Sequence, residues 1–533
     1  MTRALLVFPR FGSSSFWNYE ETCKVVGARY TAAPLGLTTV AALLPAAWEL
    51  RLVDRNVRPL EADDLAWADL VLTGGMMPQQ RDTLEVIRRA HEAGKPVIVG
   101  GPDVTTSPEI YREAEFRVLG EAEEILGDLL ADLERGVRKG TYKAPRFPDL
   151  ACSPVPRFDL LDLDRYMHVG VQFSRGCPYD CEFCNVVDLN GRRPRTKAVS
   201  QMLAELDALH ALGWRGHVDF VDDNLIGNRR ATKALLEALA TWLRAHRHPF
   251  EFSTEVSLNV ADDAELLALL QSANFFAVFV GIETPDPAVL VDTHKLQNTH
   301  RDIADTITRI HRAGIFVNAG FIIGFDAETA NVAGSMVDCI EATAIPVCMV
   351  GLLYALPGTR LALRLEAEGR LWPDAHVVLD DDADQCTSGL NYVTRRPRAD
   401  VYADYQEVMA RIYTPEAYFG RVRRAVRLLD CSRHRLRVPL SHVARDLRSF
   451  ARIALRLSRS GRATRRAFWG AFLDALLKNP RALKISASFA ALYLHMGPFS
   501  DRLVERLDRQ IADARATEAA GTMGDGGARV LEA

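Results

Sequence analysis

Three cysteines stand close together in Ser174-Arg175-Gly176-Cys177-Pro178-Tyr179-Asp180-Cys181-Glu182-Phe183-Cys184, with the spacing C-x3-C-x2-C. Thiolates are soft ligands that select iron–sulfur clusters, zinc or copper(I). A structural zinc site takes four ligands, and the nearby carboxylates Asp180 and Asp188 would be unusual donors in one. Three thiolates on a cubane leave one iron without a protein ligand, the open position a catalytic metal needs. The other six of the nine cysteines lie scattered at 23, 152, 339, 348, 386 and 431. A reducing compartment and a metal site fit this usage better than a disulfide framework.

Further candidates close short apolar runs. Asp222-Asp223-Asn224, Glu255 and Glu283 do so in the middle of the chain, and Gly74-Gly75, Gly100-Gly101 and Gly120-Glu121 nearer the N-terminus. Carboxylates in such places accept hydrogen bonds from a ligand or make salt bridges across a barrel mouth. Glycines there let backbone approach a ligand, or simply make tight turns.

The elements that must position these groups follow from the apolar pattern. Residues 1–145 alternate strands (Leu5–Phe8, Leu50–Asp54, Leu70–Thr73, Pro96–Val99, Phe116–Leu119) with helices, which predicts a doubly wound, Rossmann-like parallel sheet. Ligands of such sheets sit outside the carboxyl ends of the strands, where the glycines fall. A proline-rich linker, Lys143–Pro156, follows. Across 146–375 the rhythm resumes with strands at Val169–Ser174, His217–Val221, Glu251–Thr254, Phe276–Val280, Phe316–Ile323 and Val347–Tyr354. This predicts a partial or full βα barrel whose chemistry lies at the C-terminal strand ends. Residues 376–515 read as a helical region and 516–533, rich in glycine, as a disordered tail.

The chain of 533 residues carries a net charge of −4, so nothing global points to nucleic acid. Residues 431–485 are the exception, with 14 Lys or Arg against two Asp. There Arg445, Arg448, Arg452, Arg456 and Arg459 recur at helical spacing beside Leu447, Phe450, Ala451, Ala454 and Leu457. Such a basic amphipathic helix packs on the barrel or meets anionic headgroups at a membrane surface. No run of about 20 apolar residues predicts a transmembrane helix, and the N-terminus lacks a signal pattern. A cytoplasmic location is expected, with membrane association through these helices.

With Phe183 as the aromatic before the last cysteine, the motif resembles that of the radical S-adenosylmethionine (SAM) superfamily. The resemblance implies a [4Fe–4S] cluster on Cys177, Cys181 and Cys184, whose open iron chelates SAM and cleaves it to a hydrogen-abstracting 5′-deoxyadenosyl radical. It also implies SAM-binding roles for Phe183, Asp222 or Asp223, Glu255 and Glu283. The Gly281-Ile282-Glu283-Thr284-Pro285 segment looks like a strand-end motif of that family.

A doubly wound domain before such a barrel resembles the cobalamin-dependent class. That implies cobalamin bordered by Gly74, Gly75, Gly100, Gly101, Gly120 and Glu121, although no D-x-H-x-x-G supplies a histidine for the lower cobalt face. Methyl transfer to an unactivated carbon of a small molecule is the leading expectation. Oxidative cyclisation or rearrangement without net methyl transfer is the alternative. Val221–Asn228, Cys184–Val187 with Gly191–Arg195, and the C-terminal region look like the subgroup of hopanoid C-2 methylases, which makes a hopanoid or other lipid or terpenoid the candidate substrate. Thr293-His294-Lys295-Leu296-Gln297-Asn298 looks more like that subgroup's uncharacterised members. A flavodoxin or ferredoxin is the implied reductant. A methylthiotransferase is rejected, because only Cys23 precedes residue 150.

Overall fold

The computed structural model describes residues 2–378, apart from 13, 14 and 17, and residues 384–519. Its strands in chain order are β1 (Arg3–Phe8), β2 (Tyr30–Ala32), β3 (Glu49–Asp54), β4 (Leu70–Gly74), β5 (Val97–Gly100), β6 (Phe116–Leu119), β7 (Gly140–Lys143), β8 (Tyr166–Val171), β9 (Ser174–Arg175), β10 (Arg195–Thr196), β11 (Gly216–Phe220), β12 (Phe250–Glu255), β13 (Phe275–Glu283), β14 (Phe316–Ile323) and β15 (Cys348–Leu352).

The N-terminal sheet has the order β3-β1-β4-β5-β6-β7, with every pair parallel. Its central strands β1, β4 and β5 are apolar on both sides, as a sheet covered by helices on both faces requires. Leu5, Val7, Val71 and Val99 pack into one layer, and Ala4, Leu6, Leu72 and Ile98 into the other. The doubly wound expectation holds. The sheet also gains β7, which the proline-rich stretch after it had hidden.

The second sheet is a parallel, curled half-barrel in the order β15-β14-β13-β12-β11-β8-β2. Residues alternate cleanly on its strands. Val169, Val218, Phe220, Phe250 and Phe252 are buried against the outer helices, and polar residues turn inward between them. Caps start the covering helices: Asn228 accepts from the Ala231 N–H before Arg229–Ala245, and Asp286 from Ala288 before Pro287–Asp292. The edge strand β2 comes from the N-terminal part of the chain, with Tyr30 opposite Tyr166 and Ala32 opposite His168.

The C-terminal region is helical, with long helices at Arg398–Ile412, Pro415–Leu428, Leu440–Arg459, Arg462–Lys478 and Leu483–Ala519. Its buried side chains, among them Tyr405, Met409 and Phe489, share one continuous core with the barrel. Arg421 is fully buried there, donating to the Ile345 and Ile412 carbonyls and pairing with Glu341. Residues 516–519 end the last helix, while the remainder of the expected tail lies outside the described residues. No helix among the described residues is long and apolar enough to cross a membrane.

Candidate active site

The cysteine loop leaves β8 and passes through the short antiparallel pair β9–β10. Two adjacent carboxylates hold its entry. Asp222, fully buried, accepts from the Phe173 N–H at 3.1 Å and from the Ser174 N–H and hydroxyl. Burial pushes its carboxyl up to about 7 in spite of these bonds. Asp223 accepts from the Gly176 N–H at 2.7 Å and from the Asn190 amide at 3.0 Å. Both acids thus fix residues 173–176, directly before Cys177.

Burial raises the pKa of all three thiols, that of Cys184 to about 12. The groups opposing that rise all favour thiolate. The Tyr179 N–H and Asn224 side chain act on Cys177, and the Val186 N–H on Cys184. The Gln297 amide donates to Cys181 Sγ at 3.6 Å. Lys295 acts on all three. Hydrogen bonds and positive charge at cluster sulfurs set a cluster's potential. Among the described residues no three His, Cys, Asp or Glu side chains gather tightly enough for a single ion. Asp180, the alternative fourth zinc donor, is instead paired with Arg360 at 2.8 Å and Arg192 at 3.4 Å.

Glu283 ends β13 with φ +67° and accepts from Lys295 Nζ at 2.5 Å. A Cβ on Gly281 would lie 2.3 Å from this carboxylate, so glycine there makes room for the pair. Burial works against the Lys295 charge, but Glu283 and the Cys181 thiol outweigh it and raise its pKa. Lys295 also stands 5.8 Å from the Phe183 ring, which packs on Phe325 at 5.6 Å. The buried Gln297 Oε1 and Asn298 Oδ1 have no partner among the described residues. Lys295 and Gln297 thus belong beside the thiols. The Thr293–Asn298 segment was visible in the sequence only as a family resemblance, since nothing local announces that it folds back over a loop more than a hundred residues away.

A cavity of about 1510 Å³ adjoins this loop. One end is walled by Gly74, Gly75, Gly100, Gly101, Gly120 and Glu121 at the carboxyl ends of β4, β5 and β6. A Cβ at Gly74 would meet the Gly100 carbonyl oxygen at 1.8 Å, so the two turns interlock and leave bare backbone facing the cavity. Bare backbone over so large a space is a cradle fit for cobalamin. Glu121 is held between Arg175 (2.5 Å) and Arg195 (2.5 Å), which joins the first sheet to the cysteine loop. Glu255 enters the cavity from β12 with no hydrogen bond from the described residues. Its side chain is exposed to the space of the cavity, yet the protein packed around that space, then Asp219, Asp223 and Asp222, push its carboxyl up to about 8. The cavity continues through the barrel past His168, His217 and Asn318 to His442, Arg445 and Phe450 of the basic helix Leu440–Arg459. The cysteines, Asp222, Asp223 and Glu283 stand behind its wall.

Family models match three successive segments: the B12 binding domain over residues 23–130, the Radical SAM superfamily over 171–338, and a domain of unknown function, DUF4070, over 359–509. An uncharacterized methyltransferase of Synechocystis sp. is 40% identical over 96% of this chain and 94% of its own length. The hopanoid C-2 methylase of Rhodopseudomonas palustris is 37% identical over 79% of this chain and 78% of its own. The solved cobalamin-dependent SAM radical enzyme OxsB shares the fold at a TM-score of 0.60 and 15% identity, covering 99% of this chain and 82% of that one. The radical SAM methyltransferase TsrM from Kitasatospora setae does so at 0.56 and 19%, over 70% and 78%. The cofactors that follow are a [4Fe–4S] cluster, SAM and cobalamin. A B12 domain, a curled barrel with its three-cysteine loop and homologous methylases along most of the length agree: the chain belongs to the cobalamin-dependent radical SAM methyltransferases.

Proposed function

We propose that this enzyme methylates an unactivated carbon of an apolar small molecule, a hopanoid or another lipid or terpenoid. The observation that carries the reading is the single long cavity joining the glycine-walled strand ends to the barrel interior and on to the basic helix. Its walls are mainly apolar, and the 37% identity to a hopanoid C-2 methylase supports that class.

When bound, the cluster with SAM supplies a radical that removes a hydrogen atom, and cobalamin supplies the methyl group. The protein's own residues do the rest. Cys177, Cys181 and Cys184 hold the cluster, and Asp222 and Asp223 fix the loop that carries them. Lys295 and Gln297 offset the negative charge of the thiolates. Glu255, protonated at neutral pH by its surroundings, is a donor available to SAM hydroxyls. The apolar walls keep water from the reacting carbon.

Two partners belong to this reading. A flavodoxin or ferredoxin supplies the electron. An anionic membrane surface supplies the substrate: on helix Leu440–Arg459 and its successor, Leu440, Leu447 and Leu477 are 86%, 66% and 77% exposed among arginines.

The deciding experiment uses protein purified anaerobically with cobalamin and reconstituted with iron and sulfide. It is supplied with a hopanoid or a membrane lipid extract, a reduced flavodoxin and methyl-labelled SAM. Label in an extracted lipid supports methylation. SAM cleavage with an unlabelled, altered product would replace it with cyclisation or rearrangement.

A further inference from the structure

The barrel interior holds polar side chains that the cofactor reading leaves unassigned. His168, His217, Asp219, Ser253 and Asn318 line the cavity as a polar layer that spans successive register positions of β8, β11, β12 and β14. Beside His217, its register partner Glu251 accepts from Lys484 at 2.9 Å and faces His434 at 3.3 Å, so the charge of Glu251 is already paired. Toward the mouth stands Glu255.

Contacts within the layer fix its protons. Ser253 Oγ donates to Asp219 Oδ1. The same oxygen therefore accepts from His217, whose Nε2 lies 2.6 Å away. Burial, then His168, drives the His217 pKa down to about 4, so the ring is neutral and Nδ1 carries a lone pair. No hydrogen bond from the described residues reaches that nitrogen. His168, its ring 4.9 Å away, is likewise disfavoured from charging by burial. On β14, Asn318 Oδ1 is buried without a partner among the described residues. Phe276 packs edge-on against His217 at 5.0 Å. Within the layer, His217 Nδ1 and Asn318 Oδ1 are thus neutral acceptors with no donor from the described residues, set among aromatic surface. A hydroxyl satisfies such acceptors without bringing a charge into the barrel.

We propose that this layer is a recognition site for an uncharged hydroxyl group on an apolar substrate, with His217 Nδ1 as its acceptor. Ser253 and Asp219 are positioning residues that fix the His217 tautomer. The assignment rests on the lipid-substrate reading and specifies which end of the lipid enters the barrel.

The test is equilibrium binding to the full-length, cobalamin-loaded and cluster-reconstituted protein, without turnover. The probes are a triterpene alcohol, the matching hydrocarbon and the matching primary amine. The alcohol is expected to bind about tenfold more tightly than the hydrocarbon, the value of one good hydrogen bond. His217→Phe should erase that preference while changing hydrocarbon binding less than twofold, with iron and cobalamin content unchanged. Ser253→Ala, which needs no added volume, should reduce the preference and serves if His217→Phe does not fold. Equal binding of alcohol and hydrocarbon, tighter binding of the amine, no binding of any probe, or a preference that survives both substitutions would overturn the proposal. The methylation reading fails separately, through absence of label transfer in the wild type with the binding preference intact.

Discussion

At the scale of single residues, the cluster loop depends on side chains far from it in sequence. Cys177→Ala, Cys181→Ala or Cys184→Ala should each abolish SAM cleavage, measured as 5′-deoxyadenosine released with dithionite. The pair Lys295–Glu283 is nearly buried, with side chains 12% and 9% exposed. Lys295→Met strands the carboxylate and should cost about 3 kcal/mol in denaturant unfolding. It also removes a positive charge beside the thiolates, so the reconstituted cluster should reduce at a lower potential by redox-titrated EPR. Glu255 gives a pH signature. Its folded pKa, about 8, lies above the ordinary glutamate value, so the folded state holds a proton that the unfolded state has lost. Its contribution is complete at acidic pH and disappears as pH rises through 8. Glu255→Gln should therefore gain stability relative to wild type from pH 5 to pH 8.5, read by thermal melts of the apoprotein; parallel curves would contradict the assignment. The three cysteines were legible because their spacing is local. Lys295 was not, because its partners are Glu283, twelve residues back, and thiols more than a hundred residues away.

At the scale of elements, the strands of both sheets other than β2 and β7 were readable as apolar runs within a few residues of where they lie. What a run cannot declare is its sheet. Tyr30–Ala32 is too short to register as a strand, yet it pairs with β8. The helix Leu440–Arg459 shows the same limit from the other side. Its period was plain, but of the residues read as one apolar face, Phe450 and Leu457 turn inward while Leu447 is left exposed. The inward face walls the cavity, and the outward face carries Leu440, Val443, Leu447 and Leu455 beside Arg448 and Arg452. A helix so divided should sit on an anionic bilayer. Sedimentation with vesicles of three parts phosphatidylcholine to one part phosphatidylglycerol should capture the protein, and pure phosphatidylcholine much less. Leu440→Ser with Leu447→Ser and Leu477→Ser should weaken capture roughly tenfold, at about 1 kcal/mol or less for each leucine. Unchanged capture would leave these leucines without that role.

At the scale of the whole molecule, the first sheet and the barrel are joined by more than a linker. Glu121 bridges to Arg175 and Arg195, and Tyr166 donates to Asp54 at 3.0 Å. The Thr22 hydroxyl donates to the Ala491 carbonyl, and Arg456 pairs with Glu21, so residues 21–32 touch the barrel edge and the C-terminal helices alike. Glu121→Ala should cost about 2 kcal/mol, because it leaves the half-buried Arg195 without its carboxylate and Arg175 with Glu123 alone. It should also lower the iron retained per chain after gel filtration, since Arg175 leads into the cysteine loop. A chain cut before residue 146 should aggregate rather than yield a free barrel, because it bares the β8 edge and the surface beneath residues 18–32. Recovery of a monomeric, cluster-binding barrel would refute this. The strand β2 also sets an order of events during synthesis. It leaves the ribosome well before its partner, which is complete only at Val171. At translation rates of roughly 5–20 residues per second, that is a wait on the order of ten seconds. Over that interval the first sheet can close around a loop that has nowhere yet to dock, so the nascent chain carries an unpaired edge just when trigger-type chaperones meet it.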